Sequence, residues 1–172
     1  MIGSLLILGA GGHSTVVAET AVATSQFKKI TFLDDDIDNL KLDNDVSGPL
    51  SLSLTIEYSK LYEFAFVAIG DPLIRLKWID LLLSFGYEIP TLIHPKSFIS
   101  STANISYGSA VFANAVIQSK VNIGYGSIIN TSSSIDHHST ISSGVHVCPG
   151  CSLAGNVFVG SNSLIGIGAS VI

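Results

Sequence analysis

Residues 99–171 read ISSTAN-ISYGSA-VFANAV-IQSKVN-IGYGSI-INTSSS-IDHHST-ISSGVH-VCPGCS-LAGNVF-VGSNSL-IGIGAS-V, a series of hexads that each begin with an aliphatic residue. A second ladder, four residues after each of these positions, contains only small or β-branched residues. A period of six fits neither an α-helix nor a coiled coil, whereas it suits short strands turned at regular corners. One large and one small side chain then point inward on each face. The pattern predicts a parallel β-solenoid.

Length and composition limit what the rest of the chain can be. The 172 residues leave room for the solenoid and one small domain before it. The net charge is −5, Lys and Arg form no cluster, and no apolar run approaches the roughly 20 residues that span a bilayer. Ile2–Leu8 follows Met1 without a basic segment or a cleavage site, so no signal peptide is expected. We therefore expect a soluble, cytoplasmic protein with neither nucleic acid nor a membrane as its partner.

The N-terminal part begins with a strand, a glycine-rich turn and a helix. Ser4–Leu8 is an apolar strand, Gly9–His13 form the turn, and the helix is predicted from about residue 14 to residue 24. Such a turn lets the backbone approach a phosphate, while the N-terminus of the helix offers unpaired N–H groups. Because Ser14 occupies the third glycine position of the dinucleotide-binding fingerprint, the motif alone is a weak signal.

Two further strands give this turn a context. Lys29–Leu33 is predicted to be a strand that ends in three aspartates, where an acidic group could meet a ribose hydroxyl. Phe64–Ile69 is predicted to be a third strand, followed by Gly70 and by a helix from Leu73 to Phe85. The strand ends then point to one crevice, as in a small parallel Rossmann-like unit.

The segments between these elements are less clearly patterned. Residues 38–47 are polar and are predicted to form a surface loop, and Glu88–Leu92 is predicted to be a last strand before a hinge at residues 93–95. We therefore predict an α/β Rossmann-like domain over residues 1–94 and the solenoid domain over residues 95–172.

Eight short strings, spread in order along the chain, carry a resemblance: GAGGH at 9–13, FLDD at 32–35, AIG at 68–70, LIHP at 92–95, NTSS at 130–133, DH at 136–137, VHV at 145–147 and LAGNV at 153–157. They resemble one branch of the hexapeptide-repeat acyltransferases. Its members are bacterial sugar acetyltransferases with a small N-terminal nucleotide-sugar domain. They are related to sialic-acid O-acetyltransferases and to the UDP-4-amino-sugar N-acetyltransferases of bacillosamine-type pathways.

The resemblance implies the fold and the activity. The solenoid of this family is a left-handed parallel β-helix with three faces and about 18 residues per coil. The implied reaction is the transfer of an acetyl group from acetyl-CoA to the amino group of a UDP-4-amino-sugar in surface glycan biosynthesis, without a metal. O-acetylation of sialic acid or a related sugar is the alternative. Relatives continue through further coils, so we expect a truncated C-terminus or an incomplete CoA site.

The resemblance also assigns the catalytic residues. His137 resembles the general base, and imidazole suits this role because attack of an amine on a thioester requires removal of a proton near working pH. In the N-acetyltransferases an acidic residue follows this histidine and orients it, but here that position is His138. Asp136, on the other side, is the alternative orienting residue.

The remaining site residues fall into two groups. By the same resemblance, the acetyl-CoA site is lined by His146, Gly155 and Ile167, with an amide N–H near Gly155 placed to stabilise the tetrahedral oxyanion. In the N-terminal domain, Gly11, Gly12 and His13 would hold the phosphates of the nucleotide. Asp34 and Asp35 would bind its ribose or base, and Gly70 would lie at the same crevice.

The branch forms homotrimers with active sites between subunits. Outward-facing Phe112 and Phe158 are predicted to leave apolar area on the solenoid that such an assembly would bury. The partners implied are therefore a nucleotide sugar, acetyl-CoA and two further copies of the chain.

Two other functions stay open. A γ-carbonic-anhydrase-like enzyme also uses a hexapeptide solenoid, and His137, His138 and His146 could imitate its metal ligands. A binding or scaffold protein that holds a nucleotide sugar without transferring an acetyl group would fit the missing acidic partner of His137. Cys148 and Cys151 superficially look like a redox motif, but the phase of the repeat favours two reduced structural thiols.

Overall fold

A computed structural model of the chain describes residues 3–36 and 46–172. It contains two compact units, Met1–Pro90 and Thr91–Ile172, whereas the boundary predicted from the sequence follows residue 94. Most of the predicted surface loop, residues 38–45, lies outside the described residues. Among the helices of the described ranges, none has the length and apolar character needed to cross a membrane.

The first unit alternates parallel strands with helices. Its elements are β1 (Gly3–Leu8), α1 (Gly12–Ala23), β2 (Phe27–Leu33), a 3₁₀ helix (Leu50–Leu54), α2 (Ile56–Leu61), β3 (Phe64–Val67) and α3 (Pro72–Ser84). The strands stand in the order β2-β1-β3, and β1 pairs in parallel with both neighbours. This central position explains its apolar sequence, because Leu5–Leu8 are fully buried. The predicted Rossmann-like unit is confirmed.

Local signals fix both ends of α3. Pro72 lies in its first turn, and the carboxylate of Asp71 caps it by accepting a hydrogen bond from the N–H of Ile74 at 2.9 Å. After the helix, Gly86 has a φ of +87°, a conformation that strains any residue with a side chain. Since β3 ends at Val67 and α3 begins at Pro72, the helix begins close to the carboxyl end of β3. This is the edge at which parallel sheets bind ligands.

The second unit is a three-faced solenoid of two-residue strands, all paired in parallel with strands one coil away. The first face contains β4 (Leu92–Ile93), β7 (Ala110–Val111), β10 (Ile128–Ile129), β13 (His146–Val147) and β16 (Leu164–Ile165). The second face contains β5 (Phe98–Ile99), β8 (Val116–Ile117), β11 (Ser134–Ile135), β14 (Ser152–Leu153) and β17 (Ser170–Val171). The third face contains β6 (Asn104–Ile105), β9 (Asn122–Ile123), β12 (Thr140–Ile141) and β15 (Phe158–Val159). The predicted left-handed β-helix is confirmed.

The predicted strand over Glu88–Leu92 is wrong. Glu88 forms an isolated bridge with Phe64, whereas Leu92–Ile93 pairs with β7 and is the first strand of the solenoid. Ile93 precedes Ile99 by six residues, so the aliphatic ladder begins one rung earlier than the hexads quoted above. The period identifies this strand better than its local hydrophobicity does.

Both ladders point into the solenoid, where the large aliphatic side chains form one continuous core. Polar members of the small ladder are also buried there: Ser109, Ser127 and Ser139 donate hydrogen bonds to the carbonyls of Gly124, Ser142 and Ala154 at 3.0, 3.1 and 2.9 Å. Because a buried hydroxyl is costly without a partner, these bonds let serine replace alanine or valine on the ladder.

Phe112 does not contribute to an exposed apolar surface, contrary to the prediction. It is 1% exposed, whereas Phe158 on the third face is 73% exposed. The repeat phase separates residues that point inward from those that do not, but it carries no information on what covers the outside of the solenoid. The apolar area predicted for assembly is therefore present at Phe158 and absent at Phe112.

Each corner of the solenoid from residue 108 to residue 168 places one residue in the left-handed region. Positive φ recurs there at every sixth position, and the eleven residues are Gly108, Asn114, Lys120, Gly126, Ser132, His138, Gly144, Gly150, Asn156, Asn162 and Gly168. Glycine and asparagine adopt this conformation most readily, and they occupy eight of the eleven positions. The hexad therefore carries a third requirement besides its two inward ladders.

Substitution at a corner glycine tests this requirement. Gly150 has a φ of +69° and open space around an added Cβ, so Gly150→Ala changes little except backbone strain. We expect it to lower the free energy of unfolding by about 1–2 kcal/mol in urea titrations. Gly160 has the same open surroundings without a positive φ, so Gly160→Ala is the matched control and should not destabilise. Equal losses in the two variants would contradict the explanation.

Candidate active site

His137 and His138 lie at an exposed corner of the solenoid, directly after β11. Their rings meet edge to face, and the two Nδ1 atoms are 3.0 Å apart, within hydrogen-bond distance. In such a bond one nitrogen carries the proton and the other accepts it. The structure thus joins two of the predicted catalytic residues in one hydrogen-bonded pair.

Gly155 lies against the ring of His137 from the next coil. A Cβ atom at residue 155 would approach Cε1 of His137 to 2.5 Å and Nε2 to 2.8 Å, so any side chain here would displace the imidazole. Within the described residues the N–H of Gly155 has no hydrogen-bond acceptor, whereas the N–H of Asn156 donates to the carbonyl of His137 at 2.9 Å. Gly155 therefore limits the position of the imidazole and offers an N–H donor beside it.

The carboxylate of Asp136 binds the backbone of His137. Its Oδ1 accepts a hydrogen bond from the backbone N–H of His137 at 2.7 Å, and within the described residues no hydrogen bond joins its carboxylate to the imidazole. The atom that contacts His137 Nδ1 belongs to His138.

His146 lies in β13, on the first face, and is partly buried. Asn130 Oδ1 accepts the N–H of Thr131 at 2.8 Å, which turns its amide nitrogen toward Nε2 of His146 at 3.1 Å. Since an amide nitrogen only donates, His146 accepts this bond through Nε2. Asn130 thus holds the His146 ring, and it is not among the residues predicted from the sequence although it stands in the string NTSS at 130–133.

The predicted acetyl-CoA residues are not all brought together within one chain. Gly155 shares the corner of His137, between the second and third faces, whereas Ile167 follows β16 at the corner between the first and second faces. Ile167 is 81% exposed, and His146 lies on the first face. Within a single copy, the residues assigned to one site therefore occupy two corners.

A groove of about 420 Å³ runs along the outside of the second face. Its lining mixes apolar and polar side chains and includes Val116, Ser134, Asp136, Ser152 and Ile172. Because Asp136 is the residue before His137, the groove reaches the corner that carries the histidine pair.

The described residues contain no group of three or more His, Cys, Asp or Glu side chains that could hold a metal ion. His137 and His138 share one corner, whereas His146 lies in a strand of another face. The three histidines named for a metalloenzyme are thus not gathered within one copy of the chain.

Both cysteines are buried and free, with no disulfide between them. Cys151, on the small inward ladder, donates its thiol proton to the carbonyl of Gly166 at 3.0 Å. Burial raises the pKa of the Cys148 thiol, with a smaller contribution from Cys151, so the less reactive protonated form is favoured. Their environment is that of structural thiols.

The glycine-rich turn between β1 and α1 combines a strained glycine with two open ones. Gly9 has a φ of +100°, and its N–H donates to the carbonyl of Leu33 at 2.8 Å. Gly11 and Gly12 are exposed, and an added Cβ at either would meet no atom within 4 Å. The packing of the chain thus explains Gly9 but not Gly11 or Gly12, and partly buried His13 follows them in the first turn of α1.

The acidic residues after β2 support the neighbouring backbone. Asp34 accepts hydrogen bonds from the N–H groups of Ala10 at 2.6 Å and Asp36 at 2.9 Å, one at each carboxylate oxygen. Asp35 accepts one from the N–H of Leu50 at 2.9 Å through Oδ1. Asp34 therefore fixes the glycine turn and uses both carboxylate oxygens, whereas Asp35 holds a backbone N–H through Oδ1.

Arg75 is a buried charge beside the turn after β3, and the sequence analysis does not identify it. It is 1% exposed, and its Nη1 donates to the carbonyls of Ile69 and Gly70 at 2.8 and 2.7 Å. Burial lowers the pKa of the guanidinium to about 10, against an opposing effect of Asp71. A sequence signal exists, because Arg75 precedes buried Ile79 by four residues on one face of α3. Arg75 thus fixes the crevice residue Gly70.

Comparison with known proteins covers both units. A family model described as the PglD N-terminal domain matches residues 4–82. The acetyltransferase domain of PglB from Neisseria gonorrhoeae is similar over 97% of this chain and 81% of that chain, with 36% sequence identity and a TM-score of 0.91. The same domain in complex with acetyl coenzyme A matches with 35% identity and a TM-score of 0.89 over 99% of this chain and 82% of that chain.

A second enzyme is similar at lower identity. It is a histidine-to-asparagine mutant of perosamine N-acetyltransferase from Caulobacter crescentus, in complex with CoA and GDP-perosamine. Its sequence identity is 27% and its TM-score 0.77, over 100% of this chain and 90% of that chain.

Proposed function

Because the chain belongs to the sugar acetyltransferases of the bacillosamine and perosamine type, we propose that it transfers the acetyl group of acetyl-CoA to the amino group of a nucleotide-linked amino sugar. The relatives support this, since the PglB domain binds acetyl coenzyme A and the Caulobacter enzyme binds CoA and GDP-perosamine. The observation that carries the proposal is the exposed imidazole of His137, held by His138 and packed on Gly155.

The proposed acceptor is a UDP-linked 4-amino sugar used in bacterial surface glycans, and the proposed location is the cytoplasm. The resemblance of the sequence strings favours UDP, whereas the Caulobacter relative was crystallised with a GDP sugar. A panel of UDP-linked and GDP-linked amino sugars, with CMP-sialic acid for O-acetylation, separates these possibilities. Acetylation of CMP-sialic acid alone would replace the proposed N-acetylation.

His137 is the proposed general base. Its Nδ1 is engaged by His138, which leaves Nε2 to accept a proton from the attacking amine. As the C–N bond forms, the thioester carbonyl becomes an oxyanion that the N–H of Gly155 can stabilise. Collapse of this intermediate breaks the C–S bond, and the imidazolium returns its proton to the departing thiolate. The products are the N-acetyl sugar and CoA.

The proposed acetyl-CoA site uses His146, Gly155 and Ile167. Gly155 contacts His137, so the thioester would meet the base at this corner. The groove on the second face reaches the same corner, and its mixed walls suit a pantetheine arm, which carries both methylene and amide groups. Because Ile167 lies at another corner, the proposed site needs a second copy of the chain.

The proposed nucleotide site is the turn between β1 and α1. Gly11 and Gly12 leave the backbone open to a phosphate, and the first N–H groups of α1 point out of the helix end. His13 and Gly70 would border the same crevice. Of the two aspartates, Asp35 is the better candidate for the ribose or base, because both oxygens of Asp34 already hold backbone N–H groups.

Removal of the base tests the reaction. We expect His137→Ala to lower kcat by about 10²- to 10⁴-fold with little change in KM, because proton removal belongs to the transition state. Steady-state assays of acetyl-CoA consumption measure this. His94, outside the proposed site, supplies the matched control, and His94→Ala should keep kcat. An active His137→Ala enzyme would exclude the mechanism.

Blocking the glycine turn tests the nucleotide site. Gly11 has a φ of −70° and open surroundings, so Gly11→Val should fold normally and place its side chain only where a ligand would lie. We expect calorimetry to detect no UDP-sugar binding by this variant, while its affinity for acetyl-CoA is unchanged. Unaltered UDP-sugar affinity would place the nucleotide elsewhere.

The proposed homotrimer is tested by mixing inactive variants. Exposed Phe158, Leu164 and Ile167 supply apolar area for assembly, and light scattering should report three chains per particle.

If each site takes His137 from one subunit and His146 from the next, co-expressed His137→Ala and His146→Ala chains form about one intact site in four. We expect activity to return to that level. A monomer, or mixed particles without activity, would refute the shared site.

A further inference from the structure

His138 occupies a corner position at which glycine is less strained than a residue with a side chain. Its φ is +60°, and at eight of the eleven equivalent corner positions the chain has glycine or asparagine. A residue with a larger side chain loses stability in this conformation relative to glycine. Its N–H donates to the carbonyl of Ser119 at 3.0 Å, as those of Asn156 and Gly150 do to the coil before them, so the backbone role does not require histidine.

The hydrogen bond between the two rings requires that one Nδ1 carry a proton and the other not. If Nε2 of His137 accepts the proton of the substrate amine, its Nδ1 must carry the other ring proton and donate it to His138. His138 then accepts through Nδ1 and is neutral. Two fully protonated rings could not form this bond, because both Nδ1 atoms would be donors.

Two contacts from different coils locate the ring of His137. His138 binds it at Nδ1, and Gly155 packs against Cε1 and Nε2 from the next coil. Asp136 takes no part, since its carboxylate accepts the backbone N–H of His137. Removal of the His138 ring would therefore free the imidazole to rotate and to exchange tautomers.

We propose that His138 is a positioning residue: as a neutral acceptor it holds His137 in the Nδ1–H tautomer, from a corner position whose equivalents are glycine or asparagine in eight of eleven cases. This inference rests on the proposed function, with His137 as the base. It also explains how the chain manages without the acidic residue that follows the histidine in the N-acetyltransferases it resembles.

The test uses opposite effects on stability and turnover. His138→Gly relieves the backbone and should raise the melting temperature by about 2–4 °C, yet it should lower kcat at least tenfold with KM little changed. Ser132 has the same conformation at another corner, with a φ of 57°. Ser132→Gly should raise the melting temperature similarly and leave kcat unchanged. Asparagine tolerates positive φ and can accept through its side-chain oxygen, so His138→Asn should restore part of the turnover.

A spectroscopic readout separates this inference from the proposed function. In ¹⁵N-histidine-labelled protein, the ring shifts of His137 should report the Nδ1–H tautomer in the wild type and a tautomer mixture in His138→Gly. Wild-type kcat in His138→Gly, or an unchanged tautomer, would overturn the positioning role. A wild-type protein that acetylates no amino sugar but shows the tautomer change would instead refute the proposed reaction and retain the role of His138.

Discussion

The positive φ at every sixth residue is the constraint on which the solenoid depends. It turns the chain at each corner from residue 108 to residue 168, so that three two-residue strands complete one coil and equivalent residues stack directly above each other. The inward ladders fill the interior only because these turns recur in step. The same stacking brings Gly155 against the ring of His137, since the two residues are one coil apart. The geometry of the proposed active site thus follows from the geometry of the corners.

The N-terminal unit fixes its loops with side-chain hydrogen bonds and not with a repeated backbone turn. Its loops at the carboxyl ends of the strands are fixed by charged side chains that bind backbone groups: Asp34 holds the N–H of Ala10, and Arg75 holds the carbonyls of Ile69 and Gly70. Charge-assisted bonds of this kind are stronger than neutral ones, so they rigidify loops that lack a strand partner. Gly11 and Gly12, where the nucleotide is proposed to bind, remain open beside them.

Sequence patterns predict features that repeat and miss features that do not. The hexad ladders identify the solenoid because a period of six recurs over many coils. Ile93 also fits this period, whereas the strand predicted over Glu88–Leu92 does not form. The left-handed corner positions were readable too, from glycine and asparagine at every sixth residue. The burial of Phe112 is not recorded by the hexad, because an outward position carries no signal for what covers it. The helical spacing of Arg75 from buried Ile79 does indicate its burial, but not the two carbonyls that it binds. The bond between His137 and His138 likewise follows from one ring orientation.

The stacking of equivalent corners also restricts how the length of this protein can change during evolution. His137 and Gly155 stay in contact only while they hold equivalent positions in adjacent coils, which the parallel pairing of β11 with β14 provides. A single inserted residue within a strand would shift the inward ladders of everything after it. Insertions are therefore tolerated as loops that leave the coil at a corner, or as complete coils. The solenoid can therefore gain or lose complete coils, but not part of a coil.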